Sequence, residues 1–310
     1  MRSLANARGN TVLFIVIGLA AVFVVGGLVL HYGQKRHNVL AYDPLVAYPP
    51  DQAMVGGEAY ASTAAAIMDR ELSGATGWRP NDFPLWGPNV AADNNASRQL
   101  GIIQALRETV RVFKDHLTKI SSTEFDPNLV KADRLFRNDE TKFWLPSAES
   151  RYKEGVVALR EYVAGLRTTP PTSKPINQRN IELIRLFQTW SDLLGDAHAN
   201  LFKEHEADGS SIRPWKSDDY FYHAQGMAHV MTHMAKAVKR EFGNELAGRP
   251  SVIQMIDEII DALGRAALLK PVIVFDSGAD GLLANHRRNL DVYIVDARQK
   301  MYTVREELDK

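Results

Sequence analysis

The sequence has 310 residues, of which 45% are hydrophobic and 24% charged, with 37 basic side chains, 37 acidic side chains and no cysteine. This composition is typical of a globular protein and excludes a disordered tail protein, a collagen and a disulfide-stabilised scaffold. Without cysteine there is no thiolate nucleophile, iron–sulfur cluster or cysteine-ligated zinc site.

The net charge of zero conceals an uneven distribution. Four basic residues and no acidic residue precede Asp43, so the rest of the chain holds 33 of the 37 basic residues against all 37 acidic ones. A nucleic-acid-binding protein needs a basic surface that displaces counterions from phosphates. We therefore expect no nucleic acid among its partners.

A run of twenty residues without a charge, 11–30, follows a ten-residue tail. As a helix rising about 1.5 Å per residue, this run matches the roughly 30 Å hydrocarbon core of a bilayer. A cleaved secretory signal is the alternative, but its apolar region would be only about 7–15 residues long and would end in a small-residue cleavage site. We therefore predict a cytoplasmic tail at 1–10 and a transmembrane helix at 11–31, which contacts the lipid bilayer through residues 11–30.

Basic residues flank this segment on both sides, with Arg2 and Arg8 before it and Lys35 and Arg36 after it. The short tail is the end that is more easily retained in the cytoplasm. We expect a single-pass protein of a bacterial inner membrane whose C-terminal domain is periplasmic. A proline-containing linker at 32–55 joins this anchor to the domain at 56–310, because proline favours extended backbone before it.

Beyond the linker, apolar residues recur every three or four positions, the spacing of a helix with one buried face. Ser147, Ser217 and Ser251 are placed to begin three of these helices. Val272–Phe275 is the exception, a short β-branched run that is either a buried strand or an extended crossing of the core. We predict an all-α domain of six or seven helices, with apolar stripes at 57–73, 100–120, 152–166, 181–201, 220–238, 253–267 and 290–308.

Motifs for common reactions are missing from the sequence. It has no GxSxG elbow, P-loop or GxGxxG turn, and no glutamate stands three residues before a histidine as in di-iron bundles. His229 and His233 have the spacing of zinc ligands on a helix, but they lie about 200° and 240° from Met227 of the apolar stripe, so we expect them to face away from the core. His223, near the stripe, is expected at the core boundary. We expect no metal and no cofactor, and no catalytic residue can be assigned.

The loop at 76–90 concentrates three aromatic residues, Trp78, Phe83 and Trp86, among three prolines. Aromatic rings on a stiff loop lose little entropy on ordering, so this segment suits either recognition of a partner or packing over one end of the bundle. Two further aromatic segments, Phe143–Pro146 and Arg213–Trp215, lie just before expected helix starts. We interpret both as hydrophobic staples that pack on the first helical turn.

Several short motifs together resemble one known family. They are Gly77-Trp78-Arg79-Pro80-Asn81-Asp82, Asp93-Asn94, Trp144-Leu145-Pro146-Ser147-Ala148-Glu149-Ser150, Leu268-Leu269-Lys270-Pro271 and Ala284-Asn285-His286. With the N-terminal anchor, they make the chain similar to the uncharacterised bacterial inner-membrane family catalogued as domain of unknown function 2333. The resemblance implies a membrane-anchored helical protein and carries over no catalytic residue. It indicates as candidate binding residues Trp78, Pro80, Asn81, Asp82, Asp93, Asn94, Asn285 and His286.

The sequence leaves two functional hypotheses of different classes. The first is a non-enzymatic envelope protein whose helical domain binds another membrane or periplasmic protein through the loop with Trp78, Phe83 and Trp86. The second is an enzyme or small-ligand-binding protein with a polar site near Asp82, Asp93 and His286. The anchor, the linker, the aromatic loop and the missing catalytic motifs favour the first.

Overall fold

The structure is a computed structural model that describes residues 11–26, 29, 40–74, 77–82, 93–118, 124–271, 273–277 and 282–310. Throughout these residues the regular secondary structure is helical, and no strand is formed. The predicted all-α fold class is confirmed.

The helices of the described residues outnumber the six or seven predicted for the domain. A π-helical turn, Phe113–Leu117, continues α4, and a 3₁₀ turn, Glu245–Gly248, precedes α9. The α-helices are α1 at 11–26, α2 Pro44–Ala47, α3 Glu58–Ser73, α4 Asp93–Val112, α5 Pro127–Phe136, α6 Ala148–Leu166, α7 Asn180–Phe202, α8 Pro214–Glu241, α9 Pro250–Leu268 and α10 His286–Asp309.

The N-terminal segment is helical at 11–26, and its large apolar side chains are exposed. Among the described residues, no helix combines the length and the apolar character needed to cross a membrane. Residues 27, 28, 30 and 31 of the predicted transmembrane segment lie outside the described part of the chain.

The second half of the predicted linker lies on α8. Lys236 donates from Nζ to Oδ2 of Asp43 at 2.7 Å, and Arg240 donates to the backbone oxygens of Tyr48 and Gln52. Asp43 also caps the short α2 by accepting from the amide of Leu45. Residues 40–52 are therefore packed against the helical domain.

The long helices run up and down between two ends of the domain. We define the upper end of the domain as the end at which α4, α6, α8 and α10 begin. Helices α3, α7 and α9 finish at the same end. Three contacts show this arrangement: Gln99 to Gly77 O, Ser97 to Asp219, and Arg287 to Lys203 O. At the opposite, lower end, Glu241 near the end of α8 accepts from the amide of Gly57 before α3, and Arg249 before α9 donates to Glu307 O near the end of α10.

Helix α5 matches none of the predicted apolar stripes, which explains part of the difference in helix count. Asp126 begins it by accepting from the amide of Asn128 at 2.9 Å, and Pro127 occupies the first helical position. Its ten residues span fewer than three turns, too few for a long apolar stripe.

Local signals predicted some helix starts and not others. Ser147 caps α6 by accepting from the amide of Ser150, as expected. Helix α8 begins at Pro214 instead of Ser217. Proline is favoured at the first helical position, because it lacks the amide hydrogen that has no partner within the helix there. Ser217 Oγ instead donates to Asp276 in the segment before α10. The described part of the run at 272–275 forms no strand, and only an isolated bridge joins Asp276 to Asn285.

Helices α4 and α8 begin at the same end and pack very closely. A Cβ on Gly101 of α4 would lie 2.0 Å from the backbone oxygen of His223, and one on Gly226 of α8 would lie 2.0 Å from the backbone oxygen of Arg98. Such distances are far inside van der Waals contact, so only glycine fits at either position. These two glycines bring the backbones of α4 and α8 together.

A charged pair lies inside the core near the upper end. Arg98 donates to both carboxylate oxygens of Glu71 at 3.0 and 3.1 Å, and both side chains are fully buried. Gln99 donates to Glu71 as well, and it accepts from the amide of Arg79. The buried pair thus extends through Gln99 to the loop that follows α3.

Candidate functional site

The candidate residues that the structure describes lie at the upper end of the domain. The loop after α3 holds Trp78, Asn81 and Asp82, α4 begins with Asp93 and Asn94, and α10 begins after Asn285 with His286. Phe83 and Trp86 lie outside the described residues. The up-and-down topology therefore gathers residues that are about 200 positions apart in the chain, since successive helices return their ends to the same place.

Trp78 belongs to the core. Its side chain is 3% exposed, its Nε1 donates to the backbone oxygen of Glu140, and its ring meets that of Tyr152 edge-on at 5.1 Å. A buried indole that also satisfies its N–H is a packing residue. Trp78 therefore fixes the loop after α3 onto the loop before α6.

Asn81 holds the same two loops together from the other side. Its Nδ2 donates to the backbone oxygen of Lys142 at 3.0 Å and to Oε2 of Glu149 at 2.8 Å, while Asp82 pairs with Arg79. Asn81 is also buried. Trp78 and Asn81, both in the loop after α3, thus fix the position of residues 142–149.

The segment held in this way presents three large apolar side chains to solvent. Phe143, Trp144 and Leu145 are 56%, 79% and 91% exposed, and the rings of Phe143 and Trp144 meet edge-on at 5.6 Å. We call these three residues the apolar tip. The prediction that they form a hydrophobic staple is therefore wrong. It is also wrong for Trp215, whose side chain is exposed and whose ring lies 5.5 Å from the guanidinium of Arg213.

An acidic cluster lies where α4 and α8 begin. Burial, with the nearby carboxylates of Asp93 and Asp219, raises the pKa of Asp218 to about 7. Asp93 also accepts from the amide of Asn94 at 2.8 Å. We call Asp93, Asp218 and Asp219 the acidic cluster. A carboxyl group with this pKa can take up and release a proton near neutral pH.

A cavity of about 370 Å³, lined by both polar and apolar side chains, adjoins the acidic cluster. Ser97 donates to Oδ1 of Asp219 at 2.8 Å on its wall, and the other polar side chains of the lining are Asn200, Lys216, Tyr220 and His223. Burial lowers the pKa of His223, which is therefore neutral at pH 7 and lies at the core boundary, as predicted. Across the described residues, no three His, Asp or Glu side chains converge in an arrangement that could hold a metal ion.

Asn285 and His286 organise the segment before α10. Asn285 caps this helix by accepting from the amide of Arg288 at 2.9 Å and donates to the backbone oxygen of Ser277 at 2.7 Å. His286 accepts at Nδ1 from the amide of Phe275 at 2.9 Å. Asp82, Asp93 and His286 thus each have their own local partners, Arg79, Asn94 and Phe275.

His229 lies in the interior of the domain and His233 is half-buried beside it, so the prediction that both face away from the core is wrong. His229 is 2% exposed, and its ring centroid lies 4.8 Å from that of His233. The prediction failed because α8 is surrounded by α3, α4, α7 and α9. A side chain that points away from Met227 on such a helix meets another helix instead of water.

The apolar tip and the buried histidines are the features that sequence reasoning missed. Three consecutive large apolar residues outside any helical stripe were a signal for the tip, because they have no periodic partner with which to pack. No local signal distinguishes a histidine on the second buried face of a helix from one in solvent.

Comparison with known proteins places the chain in a family. Neither the curated proteins nor the solved structures contain a match to it. A family profile, described as an uncharacterized protein conserved in bacteria (DUF2333), matches residues 5–187 and 175–310, which together cover nearly the whole sequence. The chain belongs to this bacterial family.

Proposed function

We propose that this protein is a membrane-anchored helical protein of the bacterial envelope that binds another membrane or periplasmic protein through its upper end. The observation that carries the proposal is the apolar tip, Phe143, Trp144 and Leu145, exposed on a segment fixed by Trp78 and Asn81. Exposed aromatic side chains on a pre-ordered segment are typical of binding hot spots, because little entropy is lost when a partner covers them.

The membrane anchor is supported by the N-terminal segment. Residues 11–30 carry no charge, and the helix at 11–26 exposes large apolar side chains such as Phe14 and Leu19, which are 70% and 66% exposed. A row of exposed apolar side chains is costly in water and favourable in lipid. In this proposal the bilayer surrounds the N-terminal helix, and the domain lies on the periplasmic side of the inner membrane.

A photo-cross-linker tests the binding surface directly. We would place p-benzoylphenylalanine at position 144 in cells and, as a matched control, at position 292, where Val292 is exposed on α10 away from the tip. The expected result is a discrete adduct with a second protein at 144 and none at 292. Adducts with lipid alone at 144, or equal protein adducts at both positions, would contradict the proposal.

Orientation needs a separate experiment, because it decides which partners are accessible. Alkaline phosphatase fused to the C-terminus is active only in the periplasm, and a fused fluorescent protein that folds only in the cytoplasm gives the reciprocal readout. We expect phosphatase activity without fluorescence. The reverse pattern would overturn both the localisation and the class of partner.

A small-ligand site or an active site is the second candidate, favoured by the acidic cluster and the adjoining cavity. Asp218 is the most informative residue, because its carboxyl group titrates near neutral pH and lies beside Asp93. The variant Asp218→Asn leaves the apolar tip untouched. Cross-linking at 144 that persists in this variant supports partner binding through the tip, whereas its loss would assign binding to the acidic cluster.

A further inference from the structure

A second cavity lies between α8, α9 and the residues that follow the N-terminal segment. Its volume is about 430 Å³, within the range of small-molecule sites. Leu40 forms one wall, and Ile260, Ala267 and Leu268 of α9 form the opposite one. The cavity is thus mostly apolar, and it lies about ten residues along the chain from the predicted transmembrane segment.

Two histidines are among the polar side chains that line this cavity. His229 and His233 both line it, with ring centroids 4.8 Å apart. Within the described part of the chain, Nδ1 of His233 is buried and has no hydrogen-bond partner. Leaving a buried polar atom without a hydrogen bond is unfavourable, so most such atoms are paired with protein, water or a ligand. A ligand that reaches this nitrogen would satisfy it.

The charges around the cavity cancel. Lys236 pairs with Asp43 at 2.7 Å, and Arg265 pairs with Asp261 at 2.9 Å. Burial lowers the pKa of His229 well below its usual value and that of His233 to about 4, so both rings are neutral at pH 7. A neutral site of this kind gives no advantage to a charged ligand, which would lose its hydration without gaining a free counter-ion.

We propose that this cavity binds an uncharged, mostly apolar small molecule whose carbonyl or hydroxyl group hydrogen-bonds to His233. A neutral imidazole offers one donor and one acceptor, so it suits either group. Molecules of this class dissolve in lipid, and the cavity lies close along the chain to the segment proposed as the membrane anchor. The cavity is separate from the apolar tip, so this proposal does not depend on the partner protein.

Benzophenone is a suitable probe, because it is uncharged and apolar, carries a carbonyl oxygen, and inserts into nearby C–H bonds on irradiation. The full-length protein would be labelled in detergent and the labelled residues mapped by peptide mass spectrometry. We expect labelling at Leu40 and along residues 260–268. Labelling confined to exposed apolar positions such as 143–145 would overturn the proposal, because the probe would then merely partition onto the surface.

A cavity-filling variant gives the sharpest control. A Cβ on Gly264 would lie 3.7 Å from Cγ2 of Thr232, an ordinary contact, so Gly264→Leu can extend into the cavity without moving the backbone. We expect at least a fivefold loss of labelling in Gly264→Leu and none in Gly248→Leu, where the added side chain meets open space outside the cavity. Circular dichroism would verify that both variants are folded, and undiminished labelling in a folded Gly264→Leu protein would refute the site.

The hydrogen bond from the ligand to His233 and the preference for an uncharged ligand are tested separately. His233→Leu should reduce labelling at least threefold, while His233→Gln, which keeps a donor and an acceptor, should retain it. Equal labelling in the leucine variant would remove His233 from the proposal. Benzophenone-4-carboxylate, the anionic analogue, should label the cavity at least fivefold less than benzophenone, and equal labelling would contradict the preference for uncharged ligands.

Discussion

The backbone oxygen of His223 in α8 lies so near Gly101 of α4 that a Cβ there would be only 2.0 Å away. Gly101→Ala must therefore force the two helices apart. We expect a loss of about 3 kcal/mol or more in the free energy of unfolding, the upper part of the range for overpacked cores. Urea unfolding followed by circular dichroism measures it. Gly264→Ala is the matched control, since its Cβ has room, and it should stabilise the protein by roughly 0.5–1 kcal/mol through helix propensity.

The buried pair of Arg98 and Glu71 predicts strong coupling between two substitutions. Arg98→Met alone leaves the Glu71 carboxylate buried without its ion-pair partner, which typically costs about 3–5 kcal/mol. Adding Glu71→Gln removes that charge and keeps an acceptor for Gln99, so part of the loss should be recovered. A double-mutant cycle from urea unfolding measures the coupling. Strictly additive losses would show that the pair is not a functional unit of the core.

Glu241 makes stability depend on pH. Burial is the larger effect on its carboxyl group and raises the pKa to about 7 from 4.5, although the amides of Gly57 and Tyr60 donate to it and favour the charged form. A raised folded-state pKa means that the stabilising contribution is complete below about pH 4.5 and is lost as the pH rises through about 7. Between about pH 4.5 and pH 7, the free energy of unfolding of the wild type should fall, relative to that of Glu241→Gln, by up to about 1.4 kcal/mol per pH unit. Urea unfolding of both proteins from pH 5 to pH 8 measures the difference, and a constant difference would contradict it.

Truncation of two tryptophans to alanine should change the free energy of unfolding by very different amounts. Trp78 is buried with its N–H bonded to Glu140 O, so Trp78→Ala should cost about 3–5 kcal/mol. Trp144 is exposed, and Trp144→Ala should change stability by less than about 0.5 kcal/mol. Thermal and urea unfolding of the two variants test the contrast. A large destabilisation by Trp144→Ala would mean that the apolar tip packs within the domain and is not available to a partner.

Asn285 is a candidate residue whose role in the structure is a helix cap. Asn285→Ala removes the acceptor for the amide of Arg288 and should destabilise the protein by about 1 kcal/mol. Asn285→Asp keeps that acceptor but lacks the donor to Ser277 O, so it should recover only part of the lost stability. If both variants unfold like the wild type, the cap contributes nothing measurable, and another role for this residue must be sought.

The parts of the fold that could be predicted from the sequence depend on neighbours along the chain. The stripes of α6, α7 and α10 and the cap at Ser147 were recognisable, because helical periodicity and capping act over three or four residues. Helix α5 was too short to show a stripe, and the proline that begins α8 was outweighed by the serine three residues later. These errors arise where two local signals compete or where one is weak.

The candidate site could be predicted only in part for the same reason. The resemblance indicates Asn81, Asn285 and His286 as candidate binding residues, and the structure gives each a local hydrogen-bonding partner. The exposure of Trp144 and the burial of Trp78 could not be foreseen, since both are tryptophans in loops near proline. Which of them is covered depends on where α3 and α6 bring their ends together.

By itself, the sequence determined the helical class of this protein, its family, its uncharged N-terminal run and its lack of cysteine chemistry. The family is carried by short motifs spread along the chain, and the other three properties follow from composition and from short-range periodicity. Only the tertiary structure decided which face of α8 is buried, that Gly101 and Gly226 join α4 to α8, that His229 and His233 line a cavity, and that the apolar tip is left exposed. Such features depend on contacts between residues far apart in the chain, and their energies come from desolvation and packing, which no local pattern contains.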